Sequence, residues 1–148
     1  MTTLVDHAKV RFNYEILETL EAGIELFGFE VKSLKGKHGS LEGAHVIVRG
    51  GEAFVVGMLI PPYQEKNTPK EYEARRNRRL ILHTKEIAQL ASQEGGRGLT
   101  IVPISVYTKG PLVKISIAVV RGKKKFDKRE TIKKRETERN VRREFRDR

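Results

Sequence analysis

The chain has no cysteine among its 148 residues, which excludes disulfides and thiolate metal sites and suits a reducing compartment. It also lacks a long apolar run. The longest stretch of that kind, "AFVVGMLIPP" from Ala53, falls far short of the ~20 residues a membrane-spanning helix needs. The opening "MTTLVDHAKV" has neither the basic n-region nor the apolar h-region of a secretory signal. The expectation is a soluble, cytoplasmic protein with no membrane-spanning segment.

Catalytic and nucleotide-binding motifs are missing too. "GKKK" at Gly122 supplies lysines but neither the glycine frame nor the Ser/Thr of a phosphate-binding loop. "GGRG" at Gly95 follows a helical pattern instead of opening one. His7, His38, His45 and His83 show no i, i+4 or HExxH spacing. Pairs such as Glu15/Glu18 and Glu71/Glu73 sit in charged runs and read as solvated faces. No catalytic residue, metal or cofactor is expected, and the chain reads as a binding protein.

What the chain does have is positive charge. Thirty Lys and Arg against nineteen Asp and Glu give a net charge of +11. Residues 121–148 hold fourteen of the former and six of the latter, and so carry eight of the eleven net charges. That balance points to a polyanion: RNA, DNA or an anionic membrane face. The same segment has only Phe126, Ile132, Val141 and Phe145 to offer a core. These cannot offset an ordering cost of about 1–2 kcal/mol per residue. Yet it contains no proline and no glycine after Gly122, and Glu130/Lys134, Glu138/Arg142 and Glu144/Arg148 are helix-supporting pairs at i, i+4. The chain therefore divides into a folded domain, residues 1–120, and a basic tail, residues 121–148, disordered when free and helical against RNA.

Residues 1–120 read mainly as β. Tyr14–Phe27 suits a long strand bent at Gly23. "GFEVKSLKGKHG" suits a short helix with Val31 and Leu34 on one side. "GAHVIVRGGEAFVVGMLI" is a hairpin signal whose turn glycines supply positive φ. "PPYQEKNTPKEYEARRNR" is a loop, and "RRLILH" a short strand. "TKEIAQLASQEGG" predicts a helix with Thr84 as N-cap, Ile87, Leu90 and Ala91 as its apolar stripe, and Gly95–Gly96 as its stop. "LTIVPISVY" and "VKISIAVV" flank "TKGPL" as a second hairpin, with Val113, Ile115, Ile117 and Val119 inward and Lys114 and Ser116 outward. About six strands and two short helices predict a closed antiparallel, oligonucleotide-binding-like β-barrel. Candidate phosphate-tracking cations are Arg75, Arg76, Arg78 and Arg79 at a strand start, Lys32, Lys35 and Lys37 around the first helix, and Lys114.

Several separated motifs carry a resemblance. "LEAGIELFGFEVKSLKGKHGSL", "RNRRLILH", "LTIVPISVY" and "LVKISIAVVRGKKKFDKRETIKKRE" resemble the tmRNA-binding small protein B family, the SsrA-binding proteins, from about Arg11 into the tail. The resemblance implies an oligonucleotide-binding-like barrel that binds the tRNA-like domain of transfer-messenger RNA and enters the A site of stalled ribosomes for trans-translation. It implies a tail that occupies the decoding centre and the empty mRNA channel, delivery together with elongation factor Tu and GTP, a monomer, and no catalysis. The family's RNA-binding positions fall on Glu21, Ile81 and Lys114; Lys32 and Arg79, read from the basic clusters, are further expected RNA contacts. Its decoding-centre motif falls on Gly122, Lys123, Lys124, Phe126, Asp127, Lys128 and Arg129. Phe126 stands where some relatives carry histidine, and His7 and Phe12 replace the family's usual Asn and His. The alternatives are a structural RNA-binding protein of the ribosome and an RNA-processing enzyme using a carboxylate–histidine set with a metal.

Overall fold

The computed structural model describes residues 1–64, 66, 68–96 and 98–122. Seven strands and three helices follow in the order β1 (Thr2–Asp6), α1 (Val10–Asn13), β2 (Tyr14–Ile24), α2 (Gly28–Lys35), β3 (His45–Arg49), β4 (Glu52–Val56), β5 (Arg78–Ile81), α3 (Thr84–Gln93), β6 (Leu99–Lys109) and β7 (Leu112–Gly122). The mainly β reading holds, with one strand and one helix more than expected. The additional elements are β1, five residues long, and α1, a single turn; both are too short to leave a periodic trace.

All strands pair antiparallel in one sheet of order β1-β6-β7-β2-β5-β4-β3. The turn glycines behave as expected. Gly50 and Gly51, at φ 60° and 77°, close the β3–β4 hairpin, and Gly110, at φ 60°, opens the two-residue turn between β6 and β7. The outer edge of β3 finds a partner outside the ladder. Glu94, just past α3, accepts from the Val48 N–H at 2.9 Å and from Arg49 Nη1 at 2.8 Å. On the same side β3 lies against β6 without a ladder between them.

The inner face of the curved sheet holds the main core, including Ala22, Val55, Leu80, Val106, Ile115, Ile117 and Val119, with Leu34 and Leu90 contributed by α2 and α3. The inward alternation of β7 is as the sequence suggests. Its outer face, however, is open at Leu112, Lys114 and Ser116 and closes beyond them. Ala118 and Val120 are buried there with Val102 beneath Val10 of α1, forming a second small cluster.

Three local readings change. The β2 strand ends at Ile24, and Phe27 becomes the extended N-cap of α2, its N–H donating to Glu30 Oε1 at 2.8 Å. The ladder of β2 with β7 carries an irregularity between Ile16 and Glu18. In α3 the N-cap is His83, at φ −68° and ψ 150°, and Thr84 is already helical. Glu86 supplies the capping acceptor by taking the His83 N–H at 3.0 Å. Ala91 is exposed and Ile87 only partly buried, and Leu90 is the residue α3 buries in the core.

One buried ionic group ties α2 and β5 to Tyr72, Ala74 and Arg76. Glu30 of α2 and Arg78 of β5 are both fully buried, Nη2 to Oε2 at 2.6 Å. Arg76 adds a second guanidinium at 2.5 Å, and the Tyr72 hydroxyl lies 2.9 Å from Oε2. Arg78 also donates to the carbonyls of Met58 at 2.7 Å and Ala74 at 2.9 Å. Burial alone would raise the Glu30 carboxyl, but bonds from Arg76, the Phe27 N–H and Arg78 hold it below its ordinary value. Burial, then the bond to Glu30, pushes the Tyr72 phenol up to about 12.

Candidate nucleic-acid interface

The candidate site is a row of residues laid across four adjacent strands. Tyr107 of β6 pairs with Lys114 of β7, Lys114 with Gly23 of β2, and Gly23 with Ile81 of β5. Side chains alternate along a strand, so residues paired across a ladder share a face. Gly23 is the residue where β2 is paired on both sides. A Cβ there would stand 3.1 Å from the Ile81 Cβ, a tight contact that Ile81 would have to yield to by a few tenths of an ångström. Glycine therefore lets β5 approach and leaves a hollow in the outer surface. Glu21, Gly23, Ile81, Leu82, His83, Glu86 and Lys114 line a cleft of about 350 Å³ at this place.

The sequence-predicted residues distribute unevenly about it. Glu21, Ile81 and Lys114 converge on the one cleft although they come from three strands. Ile81 is 54 % exposed, so it is a surface residue that shows an apolar side chain to solvent instead of joining the core. Lys114 is half-buried at the floor. Arg79 shares the outward face of β5 with Ile81 but lies outside the cleft lining; it pairs with Glu25 at 2.6 Å and Glu52 at 3.5 Å. Exposed pairs of this kind are worth about 0–1 kcal/mol, so Arg79 can exchange its partners for a phosphate at small cost. Lys32 is exposed on α2 and does not line the cleft.

Two candidate cations are corrected. Arg78 is fully buried and Arg76 is held against Glu30, so both serve the fold and not a phosphate backbone. Their acid partner lies more than forty residues earlier in the chain, and no local pattern announces it. Of the tail motif, Gly122 ends β7 opposite Tyr14, while Lys123, Lys124, Phe126, Asp127, Lys128 and Arg129 lie outside the described residues. Near the N-terminus, His7 Nδ1 lies 3.3 Å from the Pro103 carbonyl, and Phe12 is half-buried.

The structure adds residues that the sequence reading missed. The Tyr107 hydroxyl donates to Glu21 Oε2, and Lys109 Nζ lies 3.3 Å from Oε1. Ser116, opposite Glu21 on β7, has a small side chain over which the phenol and the carboxylate can meet. The hydrogen bond from Tyr107 is the main reason the Glu21 carboxyl is held below its ordinary value; Lys109 and Lys114 reinforce it against desolvation. Burial, then the bond to Glu21, pushes the Tyr107 phenol up to about 12. A signal for Tyr107 exists in the sequence: a two-residue turn at Gly110-Pro111 puts Tyr107 opposite Lys114 by counting back from Lys109 and Leu112. His83 and Glu86 enter the cleft because α3 begins immediately after β5.

A carboxylate, an exposed aliphatic side chain and a cation around one hollow suit an unstacked nucleotide. The acid can accept from a base edge or 2′-hydroxyl, the isoleucine can pack on a base plane, and the lysine can hold a phosphate. Among the described residues no group of three or more His, Cys, Asp or Glu is placed to hold a metal ion.

Comparison with known proteins agrees with this architecture. The family model described as SmpB protein matches residues 4–147. An SsrA-binding protein of Gloeothece citriformis is 45% identical over 140 residues, covering 95% of this chain and 90% of the relative. One from Lactobacillus delbrueckii subsp. bulgaricus is 44% identical over 143 residues, covering 97% and 93%. A solved chain described under "tmRNA-SmpB: a journey to the center of the bacterial ribosome" is 36% identical with a TM-score of 0.68, covering 81% of this chain and 84% of that one. By sequence along nearly its whole length, and by fold, this chain belongs to the SmpB family.

Proposed function

We infer that this chain binds transfer-messenger RNA and takes it to stalled ribosomes, acting as an adaptor and not as an enzyme. Membership of the SmpB family supports that activity. The single observation that ties it to this molecule is the meeting of Glu21, Ile81 and Lys114 in one cleft.

In this reading the cleft grips the tRNA-like domain. Lys114 neutralises a phosphate, Ile81 packs on an unstacked base, and Glu21 reads hydrogen-bond donors. Arg79 extends the contact along β5, and Lys32 meets RNA from α2. The tail, from Gly122 through Lys123, Lys124, Phe126, Asp127, Lys128 and Arg129, occupies the decoding centre and becomes helical in the empty mRNA channel. The sheet works as a closed oligonucleotide-binding-like barrel, a reading supported by the nearness of β3 to β6. The protein is a cytoplasmic monomer that reaches the A site alongside elongation factor Tu with GTP.

Co-purification from cells followed by sequencing of the bound RNA tests the reading. A single dominant transfer-messenger RNA is the expected result. Stoichiometric presence on every ribosomal subunit, with no such RNA, would overturn it.

A further inference from the structure

The way Glu21 is held narrows what it can read. An ionised carboxylate offers about four acceptor positions, two on each oxygen. Tyr107 occupies one on Oε2 and Lys109 one on Oε1, both from β6 and from the side away from Ile81 in the strand order. One acceptor position therefore remains on each oxygen, and the side chain keeps 39% of its surface open while lining the cleft. Tyr107 is itself only 8% exposed, so its phenol is a fixed donor and not a swinging one.

Two neighbouring acceptors call for two neighbouring donors. On their Watson–Crick edges adenine, cytosine and uracil each present a single donor group. Guanine alone presents two side by side, N1–H and the N2 amino group. Ile81 beside the carboxylate supplies apolar surface for the base plane, and Lys114 a charge for the attached phosphate. We propose that Tyr107 and Lys109 are positioning residues that fix the Glu21 carboxylate as a receptor for the Watson–Crick edge of one unpaired guanine in the bound RNA.

The proposal rests on the cleft being the RNA site, and one experiment separates the two claims. The probe is the tRNA-like domain of transfer-messenger RNA, with each unpaired guanine replaced singly by inosine, which keeps N1–H and loses the N2 amino group. Affinity is measured for the full chain, Glu21→Gln, Lys114→Glu, Tyr107→Phe and Lys109→Met, with melting temperatures recorded for each. One inosine position is expected to weaken wild-type binding about tenfold, the size of a lost base-edge contact. Glu21→Gln should bind the guanine and inosine forms equally. Tyr107→Phe and Lys109→Met should lower the guanine-to-inosine ratio, whereas a merely structural role would weaken both RNAs alike. If no single inosine matters while Lys114→Glu and Glu21→Gln still weaken binding, the guanine receptor is wrong and the site stands. If those two variants bind normally, the site itself is wrong. If Tyr107→Phe and Lys109→Met keep full discrimination, neither residue positions Glu21.

Discussion

Arg78 and Glu30 meet at 2.6 Å with neither side chain open to solvent, joining the strand that carries Ile81 to the helix that follows β2. Removing one member of such a pair leaves the other charge buried and unpaired. Arg78→Met or Glu30→Gln should each cost about 3–5 kcal/mol in denaturant unfolding. The double variant Glu30→Leu/Arg78→Met should cost clearly less than the sum of its single substitutions, because it strands no charge. Strict additivity would show that the pair does not act as a unit.

The same cluster sets the pH dependence of stability. Glu30 in the folded chain titrates below its ordinary 4.5, so its contribution is complete above that value and is lost as pH falls through the lower folded one. Tyr72 shifts the other way, from 10.0 to about 12, so its contribution is complete below 10 and lost as pH rises toward 12. Denaturation midpoints measured across pH should fall at both ends, with Glu30→Gln flattening the acid arm and Tyr72→Phe the alkaline one. Phenolate absorbance gives a second check. Of the four tyrosines, Tyr72 and Tyr107 should ionise only near 12, together and late. A single transition of all four near 10 would contradict both assignments.

Gly23 carries a steric prediction. Gly23→Ala places a methyl group 3.1 Å from the Ile81 Cβ, so that Ile81 must shift by a few tenths of an ångström. Overpacking in a closed core costs about 1–3 kcal/mol, and against the exposed Ile81 the cost should be smaller. Thermal unfolding should register it, and RNA affinity should drop more than stability does if Ile81 packs on a base as proposed. Unchanged affinity would mean that the spacing of β2 and β5 is irrelevant to binding.

Much of this was readable in the residues because local chemistry sets it. A glycine pair marked the first hairpin and Gly110-Pro111 the second, and alternation fixed the inward face of β7. The motif resemblance placed Glu21, Ile81 and Lys114, and the ladders then brought them together. What stayed hidden depends on distant partners. Arg76 and Arg78 look like surface cations until Glu30, more than forty residues away, is folded against them. Tyr107 looks like an ordinary strand tyrosine until the register sets it beside Lys114 and its hydroxyl meets Glu21. His83 displaces Thr84 as the cap because backbone conformation, which residue type only biases, decides where a helix starts.

The central claim is that RNA capture belongs to the four-strand row and ribosome engagement to the basic tail. Full-length Lys114→Glu, and a second protein with Lys123, Lys124, Lys128 and Arg129 reversed to Glu, should be compared for tRNA-like-domain affinity and for peptide tagging on stalled ribosomes. The account predicts that Lys114→Glu loses RNA binding and tagging together, while the tail variant keeps nearly full RNA affinity and loses tagging. Parallel loss of RNA affinity in both proteins would contradict it.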